Sequence, residues 1–345
     1  MSMQHGFLSQ IYMTFAIGAL GIIALVVGKT ILIPVTLALF LSLGLSPIVK
    51  RLMSWKIPKA LAILMTFVIG FIFLGVVGYA IGFAVSDFTS QLPSYQSTFQ
   101  SHVASTQNLL LQKLSWSSEE LSNQISSYLS TLGLNVAGTL VTASAATLAT
   151  FGLTLMLTSL MLIYRERIKK FFQLIANENQ QQEIETIAHR SFKLLPQYIL
   201  GLVQVIAIMV ILCSLAFWII GVPSPLFWGM IVAILNVIPY VGTVIGLGMV
   251  VIFSLAVTGP TVAILAFVMF LLMQVVDNNF LTPIIAGGRV DVNPLAAILS
   301  IIIWGMIWGV PGMILALPIL GLTKIICESI PSLRPFAYLI GDAAE

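Results

Sequence analysis

Long apolar runs dominate the sequence, and several exceed the roughly 18 residues that a helix needs to cross the hydrocarbon core of a bilayer. Of the 345 residues, 59% are hydrophobic and only 8% are charged. Inside lipid every backbone polar group must be satisfied by the protein, so only helices and closed barrels span it. Barrel strands alternate apolar and polar residues over about ten positions, whereas these runs are continuously apolar. The sequence therefore predicts an all-α, polytopic membrane protein.

About eight transmembrane segments are predicted from hydropathy. Their approximate bounds are 8–28, 31–49, 59–84, 138–163, 197–220, 225–257, 260–282 and 294–326. Basic residues in 50–59 and at the start of 164–193 place both regions in the cytoplasm by the positive-inside rule, and the N-terminus then lies inside as well. No Lys or Arg precedes Lys29, so the first segment does not have the pattern of a cleaved signal peptide.

Composition divides the chain into three predicted regions. These are N-terminal transmembrane helices (1–85), an extracytoplasmic polar helical insertion (86–137) and a C-terminal transmembrane transport core (138–345) with a cytoplasmic helical loop at 164–195. In the insertion, Ser117 and Glu120 form a capping-box pattern ahead of apolar residues at helical spacing, which predicts amphipathic helices. Three surfaces are candidates for covering their apolar stripe: the membrane, a neighbouring subunit, or a partner helix around Tyr95, Phe99 and Val103. The partner helix is the preferred alternative.

Two apolar segments are too long for one span and too short for two. Residues 225–257 are interrupted at Asn236–Gly242, where Pro239 removes a backbone donor and disfavours helix at the residue before it. A second segment begins at Asn293 and is interrupted at Gly309-Val310-Pro311-Gly312. Irregular backbone at membrane depth is tolerated only where protein or a water-filled cavity surrounds it. Paired interrupted segments mark the binding site in many transporters, so we predict two re-entrant hairpins around a central site.

Asp277 lies at or just inside the predicted edge of a span. An ionisable residue there is costly unless it is paired or hydrated, so its default interpretation is functional, as a gate or a proton-linked residue. The alternative is an interfacial charge that pairs with Arg289 and holds the cytoplasmic loop closed. Asp291 either caps the next segment or remains solvated.

The predicted solute or ion pathway joins the two interruptions to the segment around Asp277. Asn236 and Asn278 are expected to supply hydrogen-bond donors and acceptors, and Tyr240 an amphipathic wall. The predicted pathway residues are Asn236, Pro239, Tyr240, Gly242, Asp277, Asn278, Pro283, Gly309, Pro311 and Gly312, with Asp277 and Arg289 as a gate ion pair.

Several other function classes find no support in the sequence. It has no phosphate-binding loop ending in Gly-Lys-Ser/Thr and no Gly-x-Ser-x-Gly elbow, which argues against an ATP-driven pump and a hydrolase. Its three histidines and two cysteines do not fall at ligand spacing, so neither a metal nor another cofactor is expected, and the chain is not predicted to be an enzyme. The net charge of +3 comes from basic residues beside spans, so nucleic acid is not a predicted partner. A pore-type channel remains an alternative, because broken helices also line pores.

The order and spacing of these motifs resemble the autoinducer-2 exporter family of permeases, over essentially the whole chain. The resemblance is carried by Pro34, Leu45-Ser46-Pro47, Ile238-Pro239-Tyr240-Val241-Gly242, Asp277-Asn278, Pro283-x-x-x-Gly287, Pro294, Gly309-Val310-Pro311-Gly312 and Leu317-Pro318.

This resemblance implies an eight-helix, homo-oligomeric transporter of the bacterial inner membrane, in contact with membrane lipid and with both termini in the cytoplasm. Some members of the family export the quorum-sensing furanone and others behave as sodium/proton antiporters. We therefore expect secondary or facilitated export of a small polar solute, with autoinducer-2 as a candidate and a proton or sodium ion as a candidate coupling partner. A sodium/proton antiporter is the alternative within the family.

Overall fold

The computed structural model describes residues 2–110, 145–175, 181–281 and 292–341. Within these ranges the chain is helical, and β-pairing is limited to an isolated bridge between Val292 and Gly341. The α-helices are α1 (Ser2–Val27), α2 (Lys29–Ser54), α3 (Lys59–Leu110), α4 (Ala145–Ile175), α5 (Gln181–Ile219), α6 (Pro225–Leu235), α7 (Val241–Val257), α8 (Pro260–Val276), α9 (Pro294–Trp308), α10 (Val310–Ser329) and α11 (Arg334–Ile340). A π-helix, Asp277–Leu281, continues α8, and a 3₁₀ turn, Pro331–Leu333, precedes α11.

Five helical stretches in the described residues are long and apolar enough to cross a membrane. They are Lys29–Ser54, Lys59–Ser101, Glu185–Ile219, Pro260–Leu281 and Val310–Ser329. Shorter apolar helices occupy Ala16–Val27, Pro225–Leu235, Val241–Val257 and Pro294–Trp308. These lengths and compositions confirm the predicted all-α membrane protein, while the number of crossings stays a prediction.

The predicted third span and the start of the polar insertion form one continuous helix, α3. Beyond Ala84 its sequence becomes polar, yet Phe88, Tyr95 and Phe99 are all buried. Their spacing places them on one side of the helix, so this part of α3 packs against protein. The remainder of the insertion, including the predicted capping box, lies outside the described residues.

The chain folds into two compact units, each built from segments that are distant in sequence. The first comprises Met1–Ile63, Ala149–Tyr198 and Gly288–Glu345, and the second comprises Leu64–Leu148 and Ile199–Gly287.

Aromatic rings fasten the polar half of α3 to α6 and α7 in the second unit. Phe88 stacks on Phe227 with ring centroids 4.2 Å apart, and Trp228 lies 4.8 Å from Phe253. Tyr95 meets Phe253 edge to face at 5.3 Å. Because each buried ring removes a large apolar area from solvent, this cluster fixes the first turn of α6 against α3.

In the first unit, two side chains near helix ends make hydrogen bonds between segments that are distant in sequence. Trp308 Nε1, at the end of α9, donates to the carbonyl oxygen of Leu25 in α1 at 3.1 Å. Asn293 caps α9 by accepting from the Ala296 amide at 2.8 Å. Its Nδ2 also donates to the carbonyl oxygens of Leu339, at 2.7 Å, and Gly341, at 3.1 Å. Asn293 therefore ties the end of α11 and the residue that follows it to the start of α9.

Candidate functional site

The first predicted interruption is present in the structure. Helix α6 ends at Leu235 and α7 begins at Val241. Between them, Tyr240 adopts φ +64°, a conformation that residues with a side chain rarely take, and Pro239 has no amide hydrogen to extend α6. The chain reverses here because the turn cannot be helical.

Gly242 allows the two arms of this turn to meet. A methyl group at Gly242 would overlap the carbonyl oxygen of Leu235, so no larger residue fits without moving the backbone. One turn further along α7, a methyl group at Gly246 would lie 3.5 Å from the Cα of Val232 in α6. We call the pair α6–α7 the first hairpin. Its two helices therefore pack closely at the connecting turn and one helical turn further along α7.

A buried carboxylate is hydrogen-bonded to the tip of the first hairpin. Asp277 is only 4% exposed, although it is acidic and lies directly after an apolar helix. Asn236 Nδ2 donates to Asp277 Oδ2 at 2.8 Å, and Thr243 Oγ1 donates to Asn236 Oδ1 at 3.0 Å. We call this arrangement the Thr243–Asn236–Asp277 chain. It links α7, the turn and the end of α8 through side chains alone.

The backbone at Asp277 is also irregular. Asp277 is the first residue of the π-helix that continues α8, and π-turns inside α-helices occur frequently at functional sites. Cys213 of α5 is fully buried and interacts electrostatically with the Asp277 carboxylate. A buried carboxylate at membrane depth needs compensating hydrogen bonds or a partner, and here the Asn236 amide supplies one such hydrogen bond.

The other predicted pathway residues have different surroundings. Asn278 is exposed beside Asp277, Tyr240 is 48% exposed, and Pro239 is half-buried. Pro283, Gly287, Arg289 and Asp291 lie outside the described residues, so the gate ion pair of Asp277 with Arg289 stays a prediction.

The second predicted interruption is also present, and it belongs to the first compact unit. Helix α9 ends at Trp308, Gly309 adopts φ +66°, and α10 starts at Val310 with Pro311 in its first turn. A methyl group at Gly312 would overlap the carbonyl oxygen of Trp304. The pair α9–α10, the second hairpin, thus closes on a glycine as the first hairpin does.

Two features of the second unit were missed in the sequence. The first is Thr243, which bonds to Asn236. The signal for it in the sequence is a hydroxyl group in the first helical turn after the interruption. The other feature is a ring of hydrogen bonds among Asp87, Gln91, Tyr95 and Ser224, which we call the Asp87 ring. The i, i+4 spacing of Asp87, Gln91 and Tyr95 shows that they share one face of α3, but it does not point to Ser224.

The Asp87 ring joins α3 to the start of α6. Ser224 Oγ donates to Asp87 Oδ2 at 3.0 Å and lies 3.0 Å from Tyr95 OH. Tyr95 OH donates to Gln91 Oε1 at 2.7 Å, and Gln91 Nε2 donates to Asp87 Oδ1 at 2.9 Å. Ser224 is buried and has φ +46°. The residues on either side of α6 are thus each hydrogen-bonded to a carboxylate: Ser224 to Asp87, and Asn236 to Asp277.

Comparison with known proteins gives consistent matches along nearly the whole chain. The profile of the AI-2E family transporters matches residues 13–332, a range that contains both hairpins and Asp277. AI-2 transport protein TqsA of Escherichia coli (strain K12) is 28% identical over 326 residues, covering 90% of each chain. Putative transport protein YrrI of Bacillus subtilis (strain 168) is 25% identical over 310 residues, covering 86% of each chain.

A further relative is putative transport protein YhhT of Escherichia coli (strain K12), 26% identical over 318 residues that cover 90% of this chain and 88% of the relative. The family match spans both hairpins and the helices on either side of them, and the relatives are described as transport proteins. The chain is therefore a multi-pass membrane transporter, and it belongs to the AI-2E transporter family.

Proposed function

We propose that this transporter exports a small polar solute across the bacterial inner membrane by a secondary or facilitated mechanism, with autoinducer-2 as the candidate solute. Its similarity to a relative described as an AI-2 transport protein supports the choice of solute. The sodium/proton antiporter alternative gains no support from the relatives named above.

The Thr243–Asn236–Asp277 chain is the observation that carries this proposal. It attaches a buried ionisable group to the tip of an interrupted apolar hairpin. In secondary transporters such interruptions supply backbone carbonyls and helix ends to the solute, and intramembrane carboxylates carry the coupling proton. We assign Asp277 as the gate or proton-linked residue and the Asn236–Gly242 turn as one wall of the pathway.

Helix lengths support re-entrant hairpins. Helix α6 has 11 residues, which corresponds to roughly 16 Å, about half the thickness of the hydrocarbon core. Helix α9 has 15 residues, or roughly 22 Å by the same rise per residue. Neither helix is long enough to cross alone. We infer that both hairpins enter the membrane and turn within it, and that Gly309, Pro311 and Gly312 line the pathway from the second hairpin.

The remaining parts of the proposal concern the assembly. We propose a homo-oligomer surrounded by lipid, with both termini in the cytoplasm and the insertion at 86–137 on the outer side. The basic loops at 50–59 and 164–193 support this orientation by the positive-inside rule.

Transport in reconstituted vesicles tests the proposal. Vesicles loaded with autoinducer-2 are assayed for its release with and without an imposed pH gradient. Asp277→Asn should abolish or uncouple release while membrane insertion stays intact, because the variant keeps the size of the side chain but cannot take up a proton. Glu328→Gln is the matched control, since it neutralises a carboxylate that is paired with Arg190 at an exposed position. Its transport should equal that of the unmodified protein.

Two results would contradict the proposal. Full release by Asp277→Asn across the pH range would remove the proton-linked role. Release that never saturates with solute concentration would favour a pore-type channel, because a transporter must complete a conformational cycle for each solute.

A further inference from the structure

We propose that the connection between α2 and α3, together with the adjoining turn of α4, binds the phosphate group of an acidic membrane phospholipid. The centre of this site is the pair Lys59 and Arg167. The site is separate from both hairpins, and the inference does not depend on which solute the protein transports.

Two basic stretches that are distant in sequence meet at this site, and both belong to the first compact unit. The first, 50–59, has four basic residues and no acidic one, and the second, 163–170, has four basic residues and one acidic one, Glu166. The basic residues are Lys50, Arg51, Lys56 and Lys59 in the first stretch and Arg165, Arg167, Lys169 and Lys170 in the second. Lys59 Nζ donates to the carbonyl oxygen of Ile163 at 2.6 Å. In an α-helix that carbonyl faces the amide of the residue four positions on, Arg167, so the bond holds the Lys59 ammonium beside the turn of α4 that carries Arg167.

A short connection keeps the remaining basic residues of the first stretch close to Lys59. Helix α2 ends at Ser54 with Arg51 in its last turn, and α3 begins at Lys59. Between the two helices Lys56 adopts φ +64°, a conformation that residues with a side chain rarely take. The chain therefore turns within four residues, and the end of α2 and the start of α3 present their positive charge together.

The positive charge of the central pair is not neutralised by the protein. In the part of the chain that the structure describes, neither Lys59 nor Arg167 has a carboxylate within ion-pair distance, and the ion pairs there converge on Glu328. The Ile163 carbonyl is uncharged and takes one of the three ammonium hydrogens, so two donors of Lys59 remain. The Arg167 guanidinium lies 5.5 Å from the ring centroid of Tyr164, a contact that orients it without removing its charge.

The site lies at the level where the helices leave the apolar core of the membrane. It follows one candidate membrane-crossing stretch, Lys29–Ser54, and opens the next, Lys59–Ser101. In α4 the apolar sequence ends at Ile163, and charged residues begin two positions later. Trp55 is 64% exposed and Tyr164 is 46% exposed, and both residue types are enriched at the membrane–water interface. These features place the central pair at the depth of lipid headgroups.

An acidic phospholipid fits this chemistry better than a soluble anion. A phosphate group accepts hydrogen bonds from ammonium and guanidinium groups, and basic residues beside membrane-spanning helices attract anionic lipids. The exposed rings of Trp55 and Tyr164 offer apolar surface to an acyl chain, which a soluble phosphate does not have. The positive-inside rule accounts for basic loops on one side of the membrane, but it requires no bond between them, whereas Lys59 and Ile163 join the two stretches.

The test measures lipid binding to the purified full-length protein in detergent by native mass spectrometry. The protein is titrated with phosphatidylglycerol, and the dissociation constant of the first bound lipid is determined. Lys59→Gln and Arg167→Gln should each raise this constant about fivefold, and the double variant about 25-fold, because one basic residue near an anionic surface contributes roughly a factor of five. Phosphatidylcholine, which has no net charge, should bind weakly to the unmodified protein and equally weakly to the variants.

Lys29→Gln is the matched control. Lys29 is exposed and is the first residue of α2, as Lys59 is the first residue of α3, so both substitutions remove one positive charge from the start of a helix. Helix α2 has 26 residues, which places Lys29 roughly 39 Å from the other end of the helix. This variant should bind phosphatidylglycerol like the unmodified protein. Lys59→Arg, which keeps the charge, should do the same and thereby separates charge from any structural effect of replacing Lys59.

Three results would overturn the inference. The first is equal binding of phosphatidylcholine and phosphatidylglycerol. The second is a loss of binding in Lys29→Gln as large as that in Lys59→Gln, which would show a response to net charge alone. The third is full displacement of the lipid by inorganic phosphate at the same concentration, which would make a soluble phosphate the occupant. Arg167→Gln alone provides the comparison should the variants of Lys59 fail to fold.

Discussion

Tyr95→Phe tests how the Asp87 ring fastens the first hairpin to α3. The substitution removes one hydroxyl and keeps the aromatic ring, which contacts Phe88 and Phe253. Tyr95 is 4% exposed, so its hydroxyl makes its contacts largely away from solvent. The change therefore isolates the hydrogen bonds of the ring from the packing around it.

The expected cost follows from the hydrogens available to the ring. The hydroxyl groups of Tyr95 and Ser224 have one hydrogen each, and together they serve three contacts, with Gln91, with Asp87 and with each other. Because Ser224 donates to Asp87, the Tyr95 hydrogen is shared between Gln91 and Ser224. Tyr95→Phe therefore removes one full hydrogen bond between neutral groups, and we expect a loss of about 1 kcal/mol in the free energy of unfolding. Ser224→Ala removes a bond to a carboxylate and should cost more, about 2 kcal/mol.

The measurement is unfolding of the purified protein in mixed micelles, titrated with sodium dodecyl sulfate and followed by circular dichroism. Ser97→Ala is the matched control on α3, because Ser97 bonds only within its own helical turn, to the Ser94 carbonyl at 2.9 Å, and is exposed. It should unfold like the unmodified protein. The double variant Tyr95→Phe/Ser224→Ala should cost less than the sum of the single variants, because the two residues share a contact. Strict additivity, or a Tyr95→Phe cost as large as that of Ser224→Ala, would refute the reasoning.

Two further substitutions test the hairpins. Gly242→Ala should destabilise the protein by about 1–3 kcal/mol in the same unfolding assay, because the added methyl group overlaps the Leu235 carbonyl oxygen. Gly248→Ala is the control in the same helix; it has no atom within 4 Å of the added carbon and should be neutral or slightly stabilising. Equal effects of the two substitutions would contradict the close contact at Gly242. Asn293→Ala should lower the free energy of unfolding by about 1 kcal/mol through loss of the α9 cap. It should also raise hydrogen–deuterium exchange in 334–341, because two hydrogen bonds of Asn293 end there. Unchanged exchange would contradict the role of Asn293 in holding this segment.

The sequence predicts the fold class because helices in lipid must be long and apolar, and it predicts both interruptions because proline and glycine act on the local backbone. Each of these properties is encoded within a few residues of the place where it acts. The partners of Asp277 are of a different kind. Asn236 is 41 residues away in the chain, and nothing in the hydropathy of either segment indicates that they meet. The sequence analysis therefore predicts a pathway role for each residue separately, and the bond between them comes from the structure alone.

The polar half of α3 shows a second limit of hydropathy. The change to Ser, Thr and Gln beyond Ala84 indicates a solvent-exposed segment, and the helix nevertheless continues to Leu110. What sustains its packing is Phe88, Tyr95 and Phe99 on one side, together with Ser224, which is 129 residues from Tyr95. The apolar stripe is visible in the sequence, but its partner on α7 becomes evident only when Phe253 is placed beside it.

The two hairpins share one closing device and differ in what their tips are bonded to. In each, a glycine after the interruption packs against a carbonyl oxygen of the preceding helix, Leu235 in one and Trp304 in the other. At the first tip, Asn236 donates to the buried carboxylate of Asp277. At the second tip, Trp308 donates to the Leu25 carbonyl oxygen, which does not titrate. The tip of the first hairpin is therefore bonded to an ionisable side chain, whereas the tip of the second is bonded to the backbone of another helix, and this difference is the reason that the proposed proton-linked role is assigned to the first hairpin.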